Sequence, residues 1–318
     1  MSILFITCSR LGDAILSTGV LETIRRTLPG APVVVACGPI AAPLFEDWPH
    51  LEQIIEIHRK PFSAHWALLW RQTIARRWDW VIDIRGSALS YLLRAQKRLV
   101  WRSSSSPIHH VEKLGQVLGF SEPPLPTLHV SSDRRECLQN LLPGHRPVIA
   151  VAPVASWRGK EWPQENFIAL LQRLTSSQGL FPEGLVAVFA APSERDRVKP
   201  LLEALPQDRV LDFVGKLELL DIFTLLQSCA FFIGNDSGLM HMAAASGVPT
   251  LGLFGPSPAI HYAPYSPKAS YVRTPEDDKT LMRRFRATHD HDLMRSLSIE
   301  KVQESVWDLW QRVQEDRP

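Results

Sequence analysis

The sequence predicts an α/β protein made of two doubly wound domains in tandem. Three observations point there. Short, almost uninterrupted apolar runs alternate with longer amphipathic stretches, as expected for parallel strands covered on both faces by helices. A proline-rich stretch at 121–147, containing SEPPLPTLHV and LLPGHRP, interrupts that rhythm. The alternation then restarts, and 318 residues are enough for two domains.

The elements follow in order. Residues 3–7 read as a strand. Residues 14–28 read as a helix, with Leu16, Val20, Ile24 and Leu28 spaced along one face. Further strands are expected at 33–37, 53–57 and 80–84, with helical stretches around them. Beyond the interruption, strands are expected at 148–152, 185–190, 209–214, 230–234 and 250–254, again with helices between. Residues 299–313 close the chain as an amphipathic helix with Val302, Val306, Leu309, Trp310 and Val313 on one face. The expected domains are 1–135 and 146–298, with 299–318 as a terminal helical segment. The serine run at 103–106 reads as a loop.

Composition narrows the function. A net charge of +2 argues against a general nucleic-acid binder. Residues 1–120 hold 14 Lys/Arg against 9 Asp/Glu, a net of +5, and the remainder 21 against 24, a net of −3. A mildly basic first half suits an anionic partner. Cys8, Cys37, Cys137 and Cys229 are far apart and form no Cys-x-x-Cys pair, so neither zinc nor a disulfide framework is expected. The start, MSILFITCSR, reads as a buried strand rather than a signal peptide, and no apolar stretch approaches the ~18 residues that span a bilayer. A cytoplasmic protein is expected.

Three segments carry chemistry. In TCSRLGDAILS a strand ends, one glycine turns, and Asp13 opens a helix. Asp13 reads either as a helix cap or as a carboxylate at the mouth of the sheet that takes a proton from a hydroxyl. In APVASWRGKEWPQENF a strand runs into a polar loop with Ser156, Arg158 and Lys160, which reads as a solvated basic loop or as a grip on an anion. In FIGNDSGLMHMAAASGVPTLGLFGPSPA, Asp236-Ser237-Gly238 lies where a strand becomes a helix. The unpaired amides and dipole of that helix suit a diphosphate. His241 lies one turn in, and Gly255-Pro256-Ser257 ends the next strand. No Gly-x-Gly-x-x-Gly and no P-loop sequence is present, which argues against nicotinamide dehydrogenases and P-loop ATPases.

Together, SRLGDAILS, APVASWRGKEWP and GNDSGLMHMAAASGVPTLGLFGPS make the chain similar to glycosyltransferase family 9, the bacterial ADP-heptose–lipopolysaccharide heptosyltransferases. The resemblance implies a GT-B fold: two Rossmann-like domains facing a central cleft, with the C-terminal helix crossing back to the N-terminal domain. It implies an acceptor site in the first domain and a nucleotide-sugar site in the second. By the same resemblance Asp13 is the general base. Lys160 contacts the donor's phosphates and sugar, Asp236 the donor sugar, and the amides after Asp236 the diphosphate, with Ser156, Ser237, Gly238, His241, Gly255 and Pro256 around the donor. Asp196, in APSERDR, falls where an acidic residue meets the ribose. Val154 stands where the family commonly has glycine.

The implied reaction inverts the anomeric carbon of an ADP-heptose, or a related sugar, and needs no cofactor or metal. Asp290-His291-Asp292 is formally an Asp-x-Asp, but it lies in a polar stretch before the last helix and reads as a loop. The implied acceptor is an anionic glycolipid or lipopolysaccharide core, met by Arg10, Arg85 and Arg94. In RKPFSAHWALLWRQTIARRW, Phe62, Trp66, Leu69, Trp70 and Ile74 share one helical face. That face reads either as core or as a surface resting on the inner membrane. Alternatives are another nucleotide-sugar donor, or a catalytically silent nucleotide-sugar-binding scaffold.

Overall fold

Two sets of parallel strands, each with its own crossover helices, divide the chain into units Met1–Ser132 and Asp133–Pro318. The structure, a computed structural model, describes residues 1–316. The first unit runs β1 (Ile3–Ile6), α1 (Leu11–Thr27), β2 (Val33–Cys37), β3 (Leu51–Glu56), α2 (Ala64–Thr73), β4 (Trp78–Asp83), α3 (Leu89–Leu92), β5 (Ala95–Val100) and α4 (His110–Leu118). Its sheet has the order β3-β2-β1-β4-β5. The central strands β1 and β2 are buried at every position, which is why they are uninterrupted apolar runs.

β5 was not expected from sequence. Its AQKRLV is half exposed, as an edge strand allows, so it lacks the apolar signature of the central strands. Helix α1 starts two residues before Asp13. Arg10 occupies the N-cap position with no side-chain cap bond, and Asp13 sits inside the first turn. The cap reading of Asp13 is therefore corrected: it lies three residues past the N-cap position, inside the first turn, where its carboxylate meets the positive end of the helix dipole instead.

The proline-rich stretch is divided between the units. Its first part lies on α1, where the Thr127 backbone N–H donates to Thr18 Oγ1 at 2.9 Å. A Cβ at Gly19 would come within 2.1 Å of the Pro124 carbonyl, so only glycine lets this strap lie flat on the helix. Its second part opens the second unit with α5 (Ser132–Leu138), where Arg134 pairs with Asp221.

The second unit continues β6 (Val148–Ala152), α6 (Gln164–Thr175), β7 (Leu185–Val188), α7 (Arg195–Ala204), β8 (Val210–Asp212), α8 (Leu219–Leu226), β9 (Phe231–Asn235), α9 (Gly238–Ser246), β10 (Thr250–Phe254), α10 (Ala259–Tyr262), β11 (Ala269–Arg273), α11 (Asp278–Thr288) and α12 (Ile299–Glu315). The sheet order is β11-β10-β9-β6-β7-β8, the Rossmann order 3-2-1-4-5-6 counted from β6. The edge strand β11 also escaped the sequence reading, for the reason β5 did. Helix α12 buries Val302, Val306, Leu309 and Val313 against β10, β11 and α6. Its apolar face joins the hydrophobic core of the second unit.

Each sheet has one point where chain order reverses, between β1 and β4 and between β6 and β9. Loops leaving neighbouring strands diverge there and open a crevice. Residues that follow those four strands are therefore placed to meet ligands.

Candidate functional site

In the second unit, β6 and β9 run in parallel with Ala152 beside Gly234, so the loops after them leave side by side. The loop after β6 ends in a 3-10 turn, Arg158–Lys160. Lys160 Nζ donates to Asp236 Oδ2 at 2.6 Å, across 76 residues of sequence. The Asp236 side chain is 8% exposed and that of Lys160 24%. This pair is the charged centre of the site.

Ser237 occupies the N-cap position of α9 in extended conformation, without a side-chain cap bond. Its hydroxyl oxygen is buried with no hydrogen-bond partner among the described residues. A capping serine normally satisfies one of the first helix amides. Here the hydroxyl and those amides all remain for an incoming anion, at the positive end of the helix dipole. His241 is buried one turn along α9. Gly255, Pro256 and Ser257 form a buried turn after β10. A Cβ at Gly255 would lie 2.2 Å from the Met294 sulfur.

Sequence reasoning missed the residues that shape this loop. Asn235 is fully buried; its Nδ2 donates to the Pro153 carbonyl at 2.8 Å and its Oδ1 accepts from the Trp162 backbone at 3.0 Å. One side chain thus ties both ends of the Lys160 loop to the end of β9. Glu161 accepts from the Ala155 backbone at 3.1 Å and pairs with Arg197, which itself donates to the Ala155 carbonyl at 3.2 Å. Burial, and then the charge of Arg158, lowers the Arg197 guanidinium from its ordinary value. The Trp157 ring lies against Phe285 at 5.0 Å and covers Gly159. Its only sequence signal was an Asn immediately before Asp236 and a Trp-rich loop.

The other expected donor residues are placed as follows. Val154 is buried in the hydrophobic cluster with Val151 and Trp162, so its isopropyl group joins the core rather than the space above the loop. Ser156 is exposed, and Asp196 is exposed on the first turn of α7; it is Arg197, one residue on, that engages the loop. In the Asp290-His291-Asp292 stretch, the Asp290 carboxylate accepts from the Asp292 backbone at 2.8 Å and Asp292 pairs with Arg295 at 2.7 Å. These carboxylates serve a turn.

In the first unit, β1 and β4 are paired with Ile6 beside Asp83. Beyond them opens a cavity of about 540 Å³ lined by Asp13, Arg10, Arg59, Arg85, His58 and His65, among others. Asp13 is the only carboxylate among the lining residues, against three arginines. Cys8 also lines it; burial, with the nearby Asp13 charge, pushes its thiol up to about 11, which removes it as a nucleophile at neutral pH.

Asp83 orders the wall. It is fully buried, accepts the Arg85 and Ser87 backbone N–H groups at 2.9 Å each, and burial pushes its carboxyl up against those bonds. The loop so fixed holds the Arg85 guanidinium 4.7 Å over the Trp66 ring. Arg94 does not join this cavity. It is exposed at the amino end of β5, where its carbonyl accepts from the Trp78 backbone at 2.8 Å. In a parallel sheet that is the far side from the ligand crevice. A larger cavity, about 620 Å³ and lined by Arg135, Leu142, Val148 and Gln227 among others, also lies at an amino edge, beside the first residue of β6.

Comparison with known proteins identifies the family and the fold. The profile of "Glycosyltransferase family 9 (heptosyltransferase)" matches residues 66–289. Lipopolysaccharide heptosyltransferase 2 of Salmonella typhimurium is 24% identical over 317 residues, covering 86% of this chain and 88% of that protein. Lipooligosaccharide heptosyltransferase 2 of Haemophilus influenzae is 31% identical over 150 residues, and that match spans 42% of its length. Among solved structures, a glycosyl transferase family 9 protein from Veillonella parvula superposes with TM-score 0.80 at 20% identity, covering 98% of this chain and 97% of the other. The E. coli ADP-heptose LPS heptosyltransferase II superposes with TM-score 0.75 at 22% identity over 100% of both chains. The fold class is GT-B, with two Rossmann-like units.

Proposed function

We propose a reaction from one premise: the chain belongs to glycosyltransferase family 9. It is a glycosyltransferase of the heptosyltransferase group. The finer reading is transfer of a heptose, or a related sugar, from an ADP-sugar to a lipopolysaccharide-core or similar anionic glycan, with inversion at the anomeric carbon. The observation that carries it is the Lys160–Asp236 pair at 2.6 Å beside the buried, unpartnered hydroxyl of Ser237.

The second unit takes the donor. The diphosphate meets the first amides of α9 and the Lys160 ammonium, while Asp236 accepts hydrogen bonds from the sugar's hydroxyls. The first unit supplies the base. As the acceptor oxygen bonds to the anomeric carbon and the carbon–phosphate oxygen bond breaks, Asp13 takes the hydroxyl proton. A placed base contributes roughly 10²–10⁴-fold. The leaving diphosphate gains negative charge, and Lys160 with the helix amides stabilises it. Arg10 and Arg85, beside Asp13 in the cavity, hold the acceptor's phosphate or carboxylate groups. A lipid-linked acceptor brings the enzyme to a membrane surface; no helix among the described residues is long and apolar enough to cross one. The ADP-bound and ADP-2-deoxy-2-fluoro-heptose-bound structures of the E. coli heptosyltransferase WaaC share this fold and support the choice of nucleotide.

The test is calorimetric titration with ADP, UDP, GDP and dTDP, each with and without EDTA, followed by transfer assays with Asp13→Ala. The reading expects ADP preference unchanged by EDTA, and transfer by Asp13→Ala reduced at least 100-fold with ADP affinity retained. Preference for another nucleotide moves the donor; wild-type turnover by Asp13→Ala removes the base.

A further inference from the structure

Between Glu56 and Asp79 the chain has 22 residues with no acidic side chain and five Lys/Arg: Arg59, Lys60, Arg71, Arg76 and Arg77. Sequence reading left open whether the aromatic positions here were core or surface. The structure divides them. Helix α2 buries His65, Leu69 and Thr73 against the sheet. Its opposite face, at helical spacing from Ala64 through Ala67 and Leu68 to Arg71, is exposed; its polar groups are the Arg71 guanidinium and, at its margin, the uncharged Gln72.

Just before α2, Phe62 is 103% exposed. Phe62 and Ser63 both adopt left-handed backbone, with φ of 51° and 58°, an unfavourable conformation for residues with a Cβ. The chain therefore accepts backbone strain where it presents a phenyl ring to solvent. Leu68 and Trp70 are 42% and 39% exposed, and α3, which packs beside α2, adds Tyr91 at 56% and Leu92 at 64%. Five large apolar side chains are thus exposed on neighbouring elements, a concentration of the kind that marks an interaction surface. Of the basic residues, Arg76 is engaged by Glu52 at 2.7 Å. No acidic side chain within the segment neutralises the others.

We propose that the 60–63 tip and the outward face of α2 dock on an anionic lipid bilayer, the phenyl and aliphatic groups entering the interface while Lys60 and Arg71 meet the headgroups. An amphipathic surface with basic residues at its margin binds such a membrane by burying apolar area and by charge attraction together. A protein partner of matching shape would need acidic side chains set against each basic one; a bilayer needs only a plane of negative charge, which an exposed, one-signed helix face meets directly. The tip is continuous in sequence with His58 and Arg59, which line the Asp13 cavity. Taking that cavity as the acceptor site, which rests on the proposed function, docking brings a lipid-linked acceptor to its entrance.

The experiment is flotation of the full-length protein, without donor or acceptor, on vesicles of phosphatidylcholine alone or with 30% phosphatidylglycerol. Expected is binding to the anionic vesicles only. Lys60→Ser and Arg71→Ser should each weaken it about fivefold at low salt, taking ~1 kcal/mol per basic residue near the surface. Phe62→Ser/Leu68→Ser should reduce it further in a salt-independent way, with circular dichroism unchanged because both side chains are exposed. Equal binding to neutral vesicles, no binding to either, or binding unaffected by all of these variants would overturn the proposal. Transfer to a water-soluble, delipidated acceptor reads the catalytic assignment separately: Lys60→Ser/Arg71→Ser should retain it while losing transfer to acceptor embedded in vesicles.

Discussion

Replacing Lys160 by methionine separates two roles of one side chain. Without ligand, Lys160 neutralises Asp236, whose side chain is 8% exposed. Removing one partner of an exposed pair costs about 0.2–1 kcal/mol, and of a fully buried pair about 3–5 kcal/mol. With Lys160 itself 24% exposed, a cost of about 2 kcal/mol follows, or a fall of about 4–8 °C in the melting temperature of a unit of this size. In turnover, the lost cation faces developing charge on the diphosphate, and losing a single such donor lowers kcat by about 10²–10³. Asp236→Asn should lose less stability than Lys160→Met, because a buried amide replaces a buried charge. The double variant should be more stable than the two single effects summed, with a coupling of about 1–2 kcal/mol. Differential scanning calorimetry, ADP titration and a coupled transfer assay read the three quantities. A Lys160→Met protein that melts and binds ADP like wild type, with kcat reduced less than tenfold, would refute the reasoning.

Three further outcomes are expected. A Cβ at position 159 would sit 2.1 Å from the Trp157 ring, so Gly159→Ala should push that ring off Phe285, shift the tryptophan fluorescence, and weaken ADP binding through the adjacent Lys160, at a cost of about 1–3 kcal/mol in stability. Glu22 is raised by burial but held down more strongly by hydrogen bonds from Arg25, Arg26 and His129, leaving it at about 2 against an ordinary 4.5. Its folded value is depressed, so its stabilising contribution is complete above pH 4.5 and fades as pH falls toward 2. Urea melts across that window should show a shallower acid loss in Glu22→Gln than in wild type. Arg85→Ala should raise the acceptor KM about 10- to 100-fold without changing ADP affinity, while Arg94→Ala should change neither, as read by steady-state kinetics.

Much of the architecture is legible in the one-dimensional pattern because burial on both faces of a parallel sheet demands continuous apolar strands. The central strands β1, β2, β6, β9 and β10 were visible for that reason. Edge strands β5 and β11 were not, since their wetted positions carry Lys97, Arg98 or Tyr271 and break the apolar run, whereas the other two edges, β3 and β8, kept enough apolar residues to be read. The helix starts were read less well than the strands. Asp13 looked like a cap because Asp commonly caps, yet the first turn of α1 begins at Leu11 and depends on how the loop after β1 leaves the sheet.

Residue types and their spacing determined that the chain carries two sets of anion-ready strand ends and a carboxylate near one of them. They also sufficed to mark Lys160, Asp236 and Ser237 individually. Only the tertiary structure decided that Lys160 and Asp236 form one ion pair and that Asn235 fastens the loop between them. It also decided that Arg85 enters the Asp13 cavity while Arg94 is left at the opposite edge. The reason is that strand order is not chain order. Parallel pairing of β6 with β9 and of β1 with β4 brings distant segments together at the carboxyl edge, and neither local spacing nor composition contains that pairing.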